Sequence, residues 1–325
     1  MENSMLLSMI IVVRNGEKYI ERCLLALINQ NLPKEMYEII IADGESKDNT
    51  IFLAKKILEE KDINYTILNN SKKILASGWN LAINHARGIY IVRPDVHSEL
   101  FGGYVTYGIK KLQEDSQLAA VGGVLISKSN SFIGNMIAKV LSNPIGVGRS
   151  LFRIGVTKDT YSDTVVFAVY KKDVVVTCGY FNENLCRNQD IDLHKRIILQ
   201  GYRLLTSPCM KANYFSRDTF LTFIKQAYKN GFWGTYSGAC HYRHLAPMFF
   251  FMLILILSMI NVTMMFFVLL FYVFVIEVCF VKTKMYNVLI LQILLFLTVS
   301  LHVSYAVGSV WGFVCKAFDK ILKRT

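Results

Sequence analysis

Leu7-Ser-Met-Ile-Ile-Val-Val13 runs straight into Arg14-Asn15-Gly16-Glu17, and the pattern returns at Tyr37-Glu-Ile-Ile-Ile-Ala-Asp43-Gly44. Each is an apolar run of strand length that ends in polar, turn-forming residues. Such runs read as strands buried on both faces. Between them, Ile20, Cys23, Leu24, Leu27 and Ile28 recur at helical spacing within Lys18–Gln30. The alternation continues with a helix over Asp48–Glu60, a strand over Asn64–Leu68, a helix over Ala76–Ala86 and a strand over Gly88–Val92. Strands alternating with helices of this length predict an α/β fold with a mostly parallel sheet and helices on both faces.

Ligands of such sheets bind beyond the carboxyl ends of the strands. That rule selects Arg14-Asn15, Asp43 and Asp95-Val96-His97 as neighbours on one rim. Beyond residue 118 the pattern loosens. Strand-like Leu118–Ser127 and Thr164–Tyr170 flank a glycine-containing stretch to Arg153. A helix with Leu193, Ile197 and Ile198 inward follows Asn188-Gln189-Asp190, and strand-like Tyr202–Thr206 leads to Pro208.

The chain has 325 residues, 53% hydrophobic and 18% charged. That excludes a disordered or collagen-like chain. The apolar residues crowd one end: Leu245–Val281 holds one charge, Glu277, and Met285–Cys315 holds none. Since about 20 apolar residues span a bilayer, the second stretch predicts one span. The first predicts either one tilted span or a tight pair breaking near Asn261. Residues 1–235 are expected to form the α/β domain, and 236–325 the membrane helices, about 246–281 and 286–311, with a short basic tail. Lys316–Arg324 carries more bases than the 282–284 loop, which favours an even number of spans and a cytoplasmic tail. Phe313–Leu322 could lie along the interface as an amphipathic helix. The N-terminal run lacks a basic n-region, so a first strand is expected rather than a signal peptide.

The 36 Lys/Arg against 24 Asp/Glu give a net charge of +12. That suits an anionic membrane face or a phosphorylated substrate. No run of basic residues and no zinc-finger spacing supports nucleic-acid binding. The seven cysteines are widely spaced with no CxxC, so reduced thiols are expected.

Three sets of residues could carry chemistry. Asp43 is either a turn aspartate or a carboxylate that accepts hydrogen bonds from a nucleotide. With no GxGxxG and no P-loop, glycine backbone does not cradle the phosphates. Asp95 and His97 point the same way from an extended segment and could share a divalent cation, Mn2+ or Mg2+; otherwise they are a turn aspartate and a solvated histidine. Asp190 opens a helix, as an N-cap or as a general base. Asp192 and Arg196 form an i, i+4 pair.

The order of these motifs decides among the readings. Val12-Val-Arg-Asn-Gly-Glu17, Ala42-Asp-Gly-Glu-Ser-Lys-Asp-Asn-Thr50, Ala76-Ser-Gly-Trp-Asn80, Arg93-Pro-Asp-Val-His97, Gly179-Tyr-Phe-Asn-Glu183 and Gln189-Asp-Ile-Asp-Leu-x-x-Arg196 follow one another along the chain. The chain thereby resembles the family 2 inverting glycosyltransferases of GT-A fold. Arg93-x-Asp-x-His-Ser98, Asn188-Gln-Asp190 and His302-Val-Ser-Tyr-Ala-Val-Gly308 are most similar to the succinoglycan-biosynthesis branch.

The resemblance implies that Asp43, helped by Asn15, Glu17 and Asn80, binds the base or ribose of a nucleotide-sugar donor, most often a UDP-sugar. Asp95 and His97 would hold the metal, with His97 in place of the family's second aspartate. Asp190 would be the catalytic base, with Gln189 in place of the usual glutamate, and Arg196 would support the helix. Gln226-x-x-x-Asn-Gly-x-Trp233 is similar to an altered Gln-x-x-Arg-Trp motif. Its missing arginine speaks against a processive polymerase, while Lys225 and Lys229 could still meet phosphate. The acceptor would be a glycan or glycolipid, and the enzyme would be anchored in the cell membrane with its domain facing the cytoplasm. A polyprenyl-phosphate sugar synthase, a sugar nucleotidyltransferase and an inert membrane scaffold are the alternatives.

Overall fold

The computed structural model describes residues 5–215, 218–238, 242–282 and 287–322. Met1, Cys240, Lys284, Met285, Lys323 and Arg324 lie outside that set. In chain order the elements are β1 (Leu7–Val13), α1 (Glu17–Ile28), β2 (Tyr37–Asp43), α2 (Thr50–Glu60), β3 (Tyr65–Asn69), α3 (Leu75–His85), β4 (Tyr90–Val92) and β5 (Ser98–Leu100). Then come α4 (Tyr104–Glu114), β6 (Leu118–Lys128), α5 (Phe132–Leu141), α6 (Pro144–Val147), α7 (Leu151–Ile154), β7 (Thr160–Tyr161), β8 (Val169–Lys171), α8 (Lys172–Thr177), α9 (Gln189–Leu199) and β9 (Arg203–Phe215). The C-terminal helices are α10 (Phe220–Ser237), α11 (Ala246–Ile260), α12 (Val262–Val281) and α13 (Val288–Leu322).

The chain forms two units, Met1–Ile126 with Gly155–Phe215, and Ser127–Ile154 with Ser216–Thr325. The linear boundary at 235 thus differs from the observed division. The α5–α7 insertion packs with the C-terminal helices, and α10 joins them.

In the first unit the sheet runs β3-β2-β1-β4-β8-β6-β9-β5, with β7 beside β9. The first four strands are parallel, in a register that pairs Val13 with Asp43, Asp43 with Asn69, and Met9 with Val92. Beyond β4 the sheet is mixed, since β8 lies antiparallel to both β4 and β6. The core joins Ile10, Ile40 and Ile91 of the sheet to Trp79 and Ile83 of α3 and to Leu193 and Ile197 of α9. Gly78 brings α3 close to β1, because a Cβ there would meet Val12 at 2.5 Å.

Three local expectations change. The strand expected over Thr164–Tyr170 begins only at Val169, and Phe167 takes a left-handed φ of 46° that no strand accommodates. Ile198, expected inward, is 41% exposed. β9 continues past Pro208 to Phe215.

In the second unit, α12 and the Val288–Lys320 stretch of α13 are long and apolar enough to cross a membrane, with mean hydropathies of 2.7 and 2.0. α11 and α12 fold back on each other at Asn261. The rings of Phe250 and Tyr272 lie 4.6 Å apart, and the Asn261 side chain caps α12 by accepting from the Met264 N–H. The break at Asn261 is the one the sequence suggested, but of the two helices only α12 is long enough to cross a membrane. At 15 residues α11 is about 22 Å long, short of a full span. Phe313–Leu322 continues α13 without a break instead of forming a separate interfacial helix. Phe223, Ile276, Phe280, Leu294 and Leu297 bury Met136, Ile137 and Val140 of α5.

Candidate active site

Parallel strands that end in register bring their following loops together. Three loops meet at the carboxyl edge of β4, β1 and β2. The Gly44 N–H donates to Val13 O, and the Asn70 N–H to Asp43 O, both at 2.8 Å. Asn15 takes a left-handed φ of 53°, a conformation asparagine tolerates better than most residues. Its N–H donates to Ser46 Oγ, and its Oδ1 accepts the Lys47 N–H at 2.8 Å. The Glu17 carboxylate accepts from both the Asn49 N–H and Nδ2. Asp43 accepts from the Ser46 N–H and, at 2.6 Å, from its hydroxyl. On the other side, a Cβ on Gly16 would meet Val96 at 3.3 Å. The Asp43, Asn15–Glu17 and Asp95–His97 loops are therefore contiguous.

Asp95 Oδ2 lies 3.7 Å from His97 Nε2, and about a third of each side chain is exposed. Cis ligands of an octahedral ion with bonds of about 2.1 Å stand ~3.0 Å apart, so this carboxylate and imidazole, a donor pair that suits Mn2+ or Mg2+, would draw closer to share one cation. Burial pushes the Asp95 carboxyl up and Asp190 adds to this, while His97 and Arg93 oppose it. A carboxylate that burial disfavours in its charged form gains from a nearby cation. Among the described residues no group of three or more His, Cys, Asp or Glu is arranged to hold a metal. An ion here would complete its shell with substrate oxygens and water. The His97 ring is fixed edge-on against Tyr214, with centroids 5.0 Å apart.

Asp190 is not an N-cap. Asn188 occupies that position with a left-handed φ of 62°, and Asp190 sits in the first turn of α9. Its neighbour Gln189 is buried and donates to Leu185 O at 2.8 Å. The Asp190 carboxylate is ion-paired with Arg93, which is 3% exposed. Asp190 Oδ1 is closed off from solvent, yet about a third of the side chain stays open. The Asp192–Arg196 pair forms at 2.7 Å. Arg196 also donates to the carbonyls of Cys178 and Tyr180, pinning the left-handed Gly179-Tyr180 turn ahead of Phe181.

Asn80 is held by the segment before α9. Both ends of its amide are bound by the 181–183 segment: Nδ2 donates to Phe181 O and Glu183, and Oδ1 accepts the Phe181 N–H. Gln226 and Trp233 belong to the second unit, on α10, where the Trp233 ring stands edge-on to Phe232 and Tyr236.

Sequence reasoning assigned no role to Arg93. Its guanidinium carbon lies 4.0 Å from the Trp79 ring centre and 4.9 Å from that of Phe181. Burial works against its charge, but Asp190, with Tyr170 and Asp95, holds it protonated above the ordinary arginine range. Behind it the fully buried His194 lies between the Tyr170 hydroxyl, 2.8 Å from Nε2, and the Thr164 hydroxyl, 3.0 Å from Nδ1. Burial lowers the His194 pKa to about 4, so the imidazole is neutral. A carboxylate with one side locked and the other open can accept a proton from a hydroxyl placed before it.

The profile of Glycosyl transferase family 2 matches residues 8–175. A Methanococcus voltae enzyme, dolichyl N-acetyl-alpha-D-glucosaminyl phosphate 3-beta-D-2,3-diacetamido-2,3-dideoxy-beta-D-glucuronosyltransferase, is 31% identical over 232 residues, which are 69% of this chain and 71% of that protein. Among solved structures, a Pyrobaculum calidifontis mannosyltransferase in complex with GDP-Man and Mn2+ superposes with a TM-score of 0.64 at 17% identity, over 94% of this chain and 87% of that one. S. aureus TarS 1-349 in complex with UDP-GlcNAc gives a TM-score of 0.53 at 17% identity, over 66% and 60% of the respective chains.

Proposed function

The chain belongs to glycosyl transferase family 2, and from that premise we propose that it is a membrane-anchored, inverting enzyme that moves a sugar from a nucleotide donor to a hydroxyl of a lipid-linked glycan. It is a glycosyltransferase of GT-A-like fold. The donor class, the acceptor, the placement of the domain on the cytoplasmic side and the succinoglycan-like branch are parts of the proposal.

The observation that carries it is the juxtaposition of Asp95, His97 and a half-open Asp190 beyond the carboxyl edge of the parallel strands. Asp43 supplies an acceptor for the nucleotide, with Asn15 and Glu17 bracing its loop. Asp95 and His97 would hold Mn2+ or Mg2+, which offsets the charge gathering on the departing nucleoside diphosphate. Asp190 takes the proton of the acceptor hydroxyl as that oxygen bonds to the anomeric carbon. The bond from that carbon to the diphosphate breaks on the far side, and its electron pair leaves with the nucleotide. One displacement inverts the configuration and needs one base, unlike the carboxylate pair of a glycosidase.

The relative from M. voltae acts on a dolichyl-linked sugar phosphate by name, and this supports a lipid-linked acceptor. The two long apolar helices support an anchored enzyme. Incubating the full chain in detergent with Mn2+ and UDP-, GDP- and dTDP-sugars tests the reading. One donor should release its nucleoside diphosphate, and Asp95→Ala should lose that release. If no nucleotide sugar bound in calorimetry with Mn2+, the inert scaffold would stand instead. Release that persisted without Asp190 but required Lys225 or Lys229 would point to a phosphate acceptor.

A further inference from the structure

Arg93 is a buried cation with little hydrogen bonding to justify its burial. Its Nε and Nη2 make no well-formed hydrogen bond among the described residues, although Nη2 touches the Asp190 carboxylate. Desolvating a guanidinium is costly, and a well-packed apolar side chain in its place is often neutral or stabilising. What offsets the cost here is the Asp190 charge, together with the faces of Trp79 and Phe181. These two rings are themselves 4.8 Å apart and almost fully buried. The three side chains form a triangle whose corners come from the end of β4, from α3 and from the turn before α9. The Tyr170–His194–Thr164 chain closes it from behind with neutral groups, so Asp190 is the carboxylate in contact with the cation, with Asp95 adding to it from farther off.

We propose that Arg93 is the positioning residue of the transfer reaction: clamped by Trp79 and Phe181, it holds the Asp190 carboxylate by one oxygen and turns the other toward the acceptor hydroxyl. The inference rests on Asp190 being the base. Arg93 itself touches neither donor nor acceptor. It sets the position and direction of the oxygen that receives the proton. A misplacement of about 1 Å at a reacting group can cost on the order of 10²-fold in rate, and an unclamped aspartate on the first turn of a helix has rotamers that differ by more than that.

The test uses the full chain in detergent with the donor sugar that the wild type consumes. Turnover is read as nucleoside diphosphate release, and UDP or GDP binding with Mn2+ is read by calorimetry. Arg93→Gln should lower kcat by about 10²-fold with donor KM and nucleotide affinity within twofold of wild type. Arg93→Lys keeps the charge but not the planar fork. It should bind nucleotide normally and still lose at least tenfold in kcat, which carries the test if the glutamine variant fails to fold. Methylguanidine should restore part of the turnover of Arg93→Ala and none of that of Asp190→Asn. Adding Arg93→Gln to Asp190→Asn should cost nothing further. A kcat within twofold of wild type in a folded Arg93→Gln or Arg93→Lys, alongside an inactive Asp190→Asn, overturns the positioning role alone. Near-normal turnover in Asp190→Asn overturns the base reading, and the proposal with it.

Discussion

The Asn80 side chain and the Phe181 main chain exchange two hydrogen bonds, Nδ2 to O at 2.9 Å and N to Oδ1 at 3.0 Å. An amide side chain thus stands in for a neighbouring strand and fixes the turn that lays Phe181 on Arg93. Asn80→Ala leaves both main-chain groups without this partner and should cost about 1–3 kcal/mol. Asn80→Asp should cost at least as much, because it aims an acceptor at Phe181 O and at the Glu183 carboxylate. Thermal unfolding of the two variants in detergent checks the order.

His194 makes stability depend on pH. Its pKa is about 4 when folded and 6.5 for the ordinary side chain. Between these values the unfolded chain binds a proton that the folded chain refuses. Its contribution to stability is therefore intact above about pH 6.5 and falls as pH drops toward 4, by at most ~1.4 kcal/mol per pH unit. His194→Gln should flatten that part of the profile when unfolding is compared at pH 5 and pH 7. Parallel profiles would contradict the assignment.

Glu38 anchors the opposite end of the parallel strands. It is 2% exposed and accepts from the Ser8 hydroxyl, the Arg87 N–H and the Arg87 guanidinium. The Arg87 side chain is 57% exposed, so solvent screens the pair, and Glu38 keeps the Ser8 hydroxyl and the Arg87 N–H when that side chain is removed. Arg87→Ala should therefore destabilise by only about 1 kcal/mol while leaving kcat unchanged.

Gly308 and Gly312 let α13 meet α10 backbone to backbone. A Cβ at either would stand 2.1–2.2 Å from the Tyr228 or Phe232 carbonyl oxygen. Small residues four apart are how apolar helices approach closely. Gly308→Ala should cost about 1–3 kcal/mol as the helices part, visible as a lower unfolding midpoint in detergent.

Much of this was legible from residue types in order. Leu7–Val13 is an apolar run with polar residues after it, and it forms β1 with those bounds. Asp95 and His97 are expected to meet by sharing one face of an extended segment; their side chains do come within 3.7 Å, but through a turn closed by the Ser98 N–H donating to Asp95 O. Arg93 escaped notice because its role depends on Trp79 and Phe181, which lie 14 residues before it and 88 after it in the sequence. Periodicity carries no sign of such a contact. The helix at Phe132–Leu141 was hidden by its Gly134-Asn135 pair, poor helix formers, although a Cβ at 134 would strike Ser129. The bonds that tie both ends of the Asn80 amide to Phe181 span 101 residues of sequence, and no local pattern announces them.

The central claim is that Asp190 receives the acceptor's proton, and the Asp190→Asn enzyme tests it most directly. General-base catalysis contributes about 10²–10⁴-fold. Steady-state sugar transfer should therefore fall by that order while calorimetric affinity for UDP or GDP with Mn2+ stays within twofold of wild type. Transfer at a near-normal rate with unchanged nucleotide affinity would contradict the account.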